Sequence, residues 1–274
     1  MDLAQLPRIE GEMNFSGPIE GRAAVYVPDW SRSNINLEPH RLAFYDARPM
    51  RSELSLDQQG FALFDHTGPS TDPEWLKDNE TAYTDSVSAF LQQMSGAARV
   101  IAQGTGMLVR HVEATRDNGR IGVSRWVHAD YTRKWGEVWR DWMEGWHGED
   151  FHRYSRYCIF QTWRQISPAP ADNTLVFCDA STCDLRKLIV FDAVVREPVE
   201  VPGNWFESQF SRWDENQRWH YFSDLSPDEL IVFKGYDSDL SRDAQPLHNS
   251  IDLPPREGMI PRISVEARFF AFFE

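Results

Sequence analysis

Cysteine is scarce in this chain: three residues in 274, Cys158, Cys178 and Cys183, with neither a pairing framework nor metal-ligand spacing. That argues against a disulfide scaffold, and the thiols read as small buried hydrophobes suited to a reducing cytoplasm. Long apolar runs are missing too. No segment approaches the roughly 20 residues that cross a bilayer, and Met1-Asp2-Leu3-Ala4-Gln5-Leu6-Pro7 lacks a basic stretch followed by an apolar one, so neither a membrane span nor a secretion signal is expected. Positive charge is in deficit, with 28 Lys and Arg against 42 Asp and Glu and a net charge of −14. Neutralising phosphates needs basic patches, so no nucleic-acid partner is expected. Repeats, low-complexity tracts and linkers are absent as well. With 41% hydrophobic residues the chain can fill one sizeable core, and 1–274 is read as a single domain.

What is present is short apolar stretches between turn residues. Arg22–Val27, Arg41–Asp46, Tyr157–Trp163, Thr174–Cys178, Glu229–Lys234 and Arg262–Phe273 have the look of strands. Two helices interrupt them. Asp72-Pro73-Glu74 is a helix start, and Val87, Phe90, Leu91, Met94 and Ala97 recur at helical spacing, which predicts a helix over about 84–103 packed on the outside of a sheet. Trp135, Val138, Trp139, Trp142 and Trp146 fall on one face of a second helix over about 134–146, as core cover or as an aromatic wall to a site. Without βαβ alternation, the pattern predicts a mainly β (α+β) fold, an antiparallel sandwich or jelly roll with flanking helices.

The residues that carry chemistry are His128-Ala129-Asp130, His248 and Arg262-Ile263-Ser264. Two imidazoles and a carboxylate on one face of a metal leave its other face open, the arrangement of a non-haem Fe(II) oxygenase. The opening accommodates 2-oxoglutarate and dioxygen. An arginine fork is the preferred receptor for the distal carboxylate of that co-substrate, and Arg262 with the Ser264 hydroxyl is placed for it. Period two puts Arg262, Ser264, Glu266 and Arg268 on one strand face, costly unless these groups pair or bind something. Whether Arg262 or Arg268 is the main anchor is open at this level.

Each piece is weak alone. With eight His and 42 acidic residues, about one H-x-acid triplet is expected by chance, and this chain has three, including His111-x-Glu113 and His147-x-Glu149. Arg153-x-Ser155 likewise matches R-x-S. Only the set at 128, 130, 248 and 262 reads in order as pair, distal His, Arg and Ser with strand-like sequence around each part.

Several blocks are more distinctive. Asp46-Ala47-Arg48, Val127-His128-Ala129-Asp130-Tyr131-Thr132, Trp163-Arg164, Phe177-Cys178-Asp179-Ala180 and Asp228–Ser238, followed by His248 and Arg262–Arg268, run through most of the chain. In these blocks and their order the chain resembles the fungal and bacterial hydroxylase/desaturase family that includes gibberellin-desaturase-like and cephalosporin 7α-methoxylase-like proteins. The resemblance implies a double-stranded β-helix core of jelly-roll or cupin type. It also implies Fe(II) on His128, Asp130 and His248, with 2-oxoglutarate as co-substrate. Two positions depart from the family pattern, Gln161 where an Asn is usual and Asn249-Ser250 after the distal His, and both are candidates to face substrate.

Arg164, Trp163, Tyr131 and Arg48 are the expected substrate contacts, and Thr132 a candidate support for the site. The expected partners are a small-molecule substrate, of secondary-metabolite or amino-acid-like kind, and dioxygen; a homodimer is compatible with the sequence. Two other readings use the same residues: a catalytically silent cupin-like binding protein, and a metal-dependent hydrolase in which the ligands hold zinc. For the latter, no free general base stands at motif spacing.

Overall fold

The computed structural model describes residues 3–27, 29–104, 107–115, 118–199, 201 and 203–274. The first strands are β1 (Arg8–Ser16), β2 (Ala23–Tyr26), β3 (Leu37–Asp46) and β4 (Phe61–Asp65), followed by helices α1 (Pro73–Asp78) and α2 (Glu80–Ser95). Strands β5 (Arg99–Ala102), β6 (Leu108–His111) and β7 (His128–Ala129) precede helix α3 (Arg133–His147). The rest is β8 (Arg156–Gln165), β9 (Asn173–Cys178), β10 (Leu188–Val194), β11 (Trp205–Ser211), β12 (Trp219–Tyr221), β13 (Glu229–Asp237), β14 (His248–Asp252) and β15 (Ile263–Phe273).

These strands form two facing sheets. One has nine strands in the order β1-β3-β12-β9-β14-β7-β11-β10-β2, and the other runs β4-β13-β8-β15-β5 with β6 also paired to β15. Most pairings are antiparallel, and distant segments are brought side by side: β15 pairs with β8 over Ser264–Phe273. Such connectivity makes a curled double-stranded β-helix, not a meander.

Alternation decides what each face of β15 does. Val265, Ala267, Phe269 and Ala271 pack with Tyr83, Val87 and Leu91 of α2 in one core cluster, while Phe270 and Phe272 pack with Trp139 and Met143 of α3 in another. Central strands β8 and β13 are buried along nearly their whole length, because helices cover one side and the second sheet the other.

The first long helix ends earlier than its spacing predicts. It stops at Ser95, where Gly96 takes a left-handed φ of 70°, and Arg99–Ala102 instead pairs with Phe269–Phe272 of β15. A left-handed glycine is a common helix stop, and the β-branched Val100-Ile101 pair suits a strand. The second helix runs from Arg133 to His147, with the Thr132 hydroxyl accepting from the Trp135 N–H at 3.2 Å.

Gly136 lets α3 lie directly on Tyr236: a Cβ there would overlap the Tyr236 ring. Gly136→Ala therefore opposes two effects. Alanine gains roughly 1 kcal/mol of helix propensity, but Tyr236 is buried and has no room to yield, and overpacking costs about 1–3 kcal/mol or more. The variant is expected to lose about 1 kcal/mol net, measured as a lowered urea midpoint; a raised midpoint would refute the close approach.

Candidate metal centre and cavity

Strands β7 and β14 are neighbours, and His248 stands directly opposite His128 in their antiparallel register. The two rings lie 4.3 Å apart between centroids. His128 Nδ1 is 2.8 Å from the Trp126 carbonyl and His248 Nδ1 is 3.4 Å from the Pro246 carbonyl. A carbonyl only accepts, so each Nδ1 carries the proton and each Nε2 presents its lone pair, the usual preparation of a metal-ligating imidazole. Asp130 completes the set. Its Oδ1 is 3.5 Å from His128 Nε2, and one donor atom from each of the three residues lies within 4.8 Å of the others.

Protonation states favour a cation here. Burial first, and the neighbouring His128 second, pull the His248 pKa down to about 4, leaving a neutral ligand at neutral pH. Burial alone would raise the Asp130 carboxyl, but the Arg268 guanidinium beside it, which also donates a hydrogen bond to it, leads the opposing influences, and the group stays well below the usual carboxylate range. Two imidazole nitrogens and one carboxylate oxygen, converging on a cavity wall, fit Fe(II) in a three-ligand facial site.

The cavity occupies about 860 Å³ between the two sheets. Its lining includes the polar residues His128, Asp130, His248, Ser250, Arg262, Glu266 and Arg268 and the aromatic residues Trp126, Trp139, Trp146, Phe191 and Phe206. Arg262 is 1% exposed. Its backbone N–H donates to Asp172 Oδ1 at 3.0 Å, and Nη1 reaches Ser250 Oγ at 3.4 Å. The guanidinium carbon lies 5.4 Å from the centroid of Trp163, and Nε has no hydrogen-bond partner among the described residues. Among the described residues no carboxylate pairs with it, and burial, then repulsion from Arg110, lowers its pKa to about 9. A buried guanidinium without an anion is costly. The donor set and this unpaired cation together fit a metal-chelating diacid.

The expected residues fall into two groups. His128, Asp130, His248, Arg262, Trp163 and Tyr131 gather on the cavity, as do Gln161 and Ser250 from the positions that depart from the family pattern. The Ser264 hydroxyl is buried, without a hydrogen-bond partner among the described residues, and is not part of the cavity wall. Arg164 and Arg48 do not reach it. Strand alternation turns Trp163 inward and Arg164 toward α2, where its Nη1 donates to the His66 and Pro227 carbonyls at 2.5 and 2.6 Å and its Nε to the Tyr83 hydroxyl. Arg48 is bound to Glu229 at 2.6 Å and to the Ser223 carbonyl at 2.8 Å. With their donors committed to the protein, both are corrected to structural arginines. Thr132 serves as the α3 cap and donates to Glu207 at 3.2 Å.

The chance matches gather no third ligand among the described residues. His147 stacks edge-on against Phe151, Glu149 is paired with Arg99, and Arg153 binds the same Glu149. The part of the cavity wall supplied by β10 and β11 is not legible in the sequence, since Leu188–Val194 is apolar at almost every position and its cavity face is not marked.

A family model described as Oxidoreductase/YMDC permease-like domain matches residues 13–272. This chain belongs to that family. Among curated proteins, the Fe(II)/2-oxoglutarate-dependent dioxygenase nvfI of Aspergillus novofumigatus is 27% identical over 96% of each chain. The hydroxylase/desaturase asaB of Aspergillus flavus is 30% identical over 44% of this chain and 57% of its own. A solved structure of the iron and alpha-ketoglutarate-dependent endoperoxidase NvfI superposes with a TM-score of 0.82 at 24% identity, covering 98% of this chain and 99% of that one. The fold is thus the double-stranded β-helix shared with that structure, and the relatives named here are Fe(II)/2-oxoglutarate-dependent dioxygenase and hydroxylase/desaturase proteins. No helix among the described residues is long and apolar enough to cross a membrane.

Proposed function

We propose that this protein oxidises a C–H bond of a small molecule at Fe(II) held by His128, Asp130 and His248, with 2-oxoglutarate anchored at its distal carboxylate by Arg262. One observation carries the reading: three side chains that could ligate a metal share one cavity with a buried arginine that has no carboxylate partner among the described residues. Iron with 2-oxoglutarate and dioxygen supplies hydrogen abstraction from an unactivated carbon, giving succinate and carbon dioxide as co-products.

The chain's own residues do the rest. The two Nδ1–carbonyl bonds orient the histidines, Arg262 would hold the distal carboxylate of the co-substrate, and the aromatic residues on the cavity wall would limit water at the reacting centre. Arg268 is already committed to Asp130 at 2.8 Å, which favours Arg262 as the anchor. Trp126, Trp139, Phe191 and Phe206 suit a substrate with an apolar body, while Arg196 and Asn204, also on the cavity wall, offer it a polar handle. A hydrolase using the same ligands would leave the Arg262 guanidinium without an anion, and so would a silent binding barrel unless its ligand were acidic. Residues from both sheets build the site, which supports one domain over 1–274. The free thiols Cys158, Cys178 and Cys183 suit a reducing cytoplasm.

Anaerobic addition of Fe(II) and 2-oxoglutarate should produce the weak visible charge-transfer band of the chelate. No band in the wild type, or a full band in His128→Ala, would sink the proposal. A screen of small acids and apolar metabolites for substrate-coupled succinate release then sorts candidate substrates.

A further inference from the structure

The two oxygens of Asp130 face different partners. Oδ1 lies on the side where the metal-ligating atoms converge, 3.5 Å from His128 Nε2, whereas Oδ2 accepts from Arg268 Nη2 at 2.8 Å. Arg268 is rooted in the opposite sheet, on β15, and its pose is itself held. Glu266 Oε1 is 3.5 Å from Arg268 Nη2 and accepts from Arg110 Nη2 at 2.8 Å. Arg110 Nη1 in turn donates to the Gly122 carbonyl at 2.7 Å. The result is a row of alternating charge, Asp130, Arg268, Glu266 and Arg110, along the cavity wall.

A carboxylate beside a dication is free to close over it with both oxygens. Once one oxygen is committed to a guanidinium, the charge-assisted bond opposes that closure. The difference matters for an octahedral metal. Three protein donor atoms leave three positions, two for a chelating 2-oxo acid and one for dioxygen; a fourth protein donor atom removes a position the reaction needs.

We propose that Arg268 is a positioning residue that restricts Asp130 to one-oxygen ligation, and that Glu266 and Arg110 hold Arg268 in that pose. The inference rests on the reading that His128, Asp130 and His248 bind the metal. It gives Arg268 a task separate from that of Arg262: one arginine keeps the metal open, the other receives the co-substrate.

The test uses Mn(II)-loaded protein, whose water-proton relaxivity counts exchangeable waters on the metal. In Arg268→Met the relaxivity should fall by about a third, as Asp130 takes one of three open positions. Arg268→Lys should stay near wild type, and Glu266→Gln should move in the same direction as Arg268→Met by less. The affinity of the Mn(II) protein for 2-oxoglutarate should drop about tenfold in Arg268→Met. Affinity for glutarate, which keeps the distal carboxylate but lacks the chelating keto group, should not change. Wild-type relaxivity together with wild-type 2-oxoglutarate affinity in Arg268→Met overturns the proposal. Should that variant fail to fold, wild-type relaxivity in Glu266→Gln overturns it instead. A wild-type protein that binds no Mn(II) removes the metal reading itself, and this inference with it.

Discussion

His248→Ala is expected to abolish productive metal binding, weakening Fe(II) or Mn(II) by at least about a hundredfold, since loss of even an outer-shell partner costs 10–100-fold. The residue supplies one of only three donor atoms, and its side chain sits buried against Phe233, with ring centroids 5.0 Å apart. A water entering the vacated space would have that aromatic ring as a neighbour and would make a poor substitute ligand. The fold should survive, because His248 pairs through its backbone with Phe177 on one side and His128 on the other, and alanine keeps both pairings. This makes His248 a cleaner target than Asp130, whose removal also takes one ion-pair partner from Arg268. Metal titration of the purified apoprotein, with far-UV circular dichroism as a control for folding, decides the matter. An affinity within threefold of wild type in a folded His248→Ala protein would falsify the ligand set.

Arg262→Met is expected to raise the KM for 2-oxoglutarate by about a hundredfold, since losing one partner of a buried charge pair typically costs 2–5 kcal/mol. Methionine is flexible and apolar, so it fills part of the volume without offering a donor. The same substitution should leave the ligand-free protein at least as stable as wild type. A cation whose folded-state pKa is lowered to about 9 is disfavoured by its surroundings at neutral pH. The unfolded chain holds that proton up to the ordinary arginine value, so wild-type stability should rise as pH climbs above about 9 toward 12.5. Relieving that burden opposes the lost stacking on Trp163. Steady-state kinetics with saturating substrate, beside urea melts of the apoprotein, separate the two effects. An unchanged KM would remove Arg262 from the co-substrate site, and a collapsed fold would reassign it to structure.

The parts of this site that are legible in the sequence are those governed by local periodicity. Alternation along Arg262–Arg268 separates Arg262, Glu266 and Arg268, which line the cavity, from Val265 in the core on the other side, and the H-x-D spacing puts His128 and Asp130 on the same cavity. What stays hidden depends on partners distant along the chain. Arg164 looks like a ligand anchor beside Trp163, yet it is satisfied by carbonyls at His66 and Pro227 that only folding brings near. The Arg268–Asp130 contact joins residues 138 positions apart, and no spacing rule anticipates it. The tryptophan-rich helix serves both roles the sequence allows: Trp135, Trp139 and Met143 are buried as cover, while Trp139 and Trp146 also stand on the cavity wall.

Both arginines of the site grow from one sheet or its leading edge and end on the other: Arg268 on Asp130, Arg262 beside Ser250 of β14. Side-chain packing holds stacked sheets about 10 Å apart, so these two reaches act as struts between the layers. An anion arriving at Arg262 tightens one strut, and a cation arriving at Asp130 loads the other. Occupancy is then felt as the stiffness of two whole layers against each other, and slowed amide exchange should extend along β14 and β15 past every residue the ligands touch.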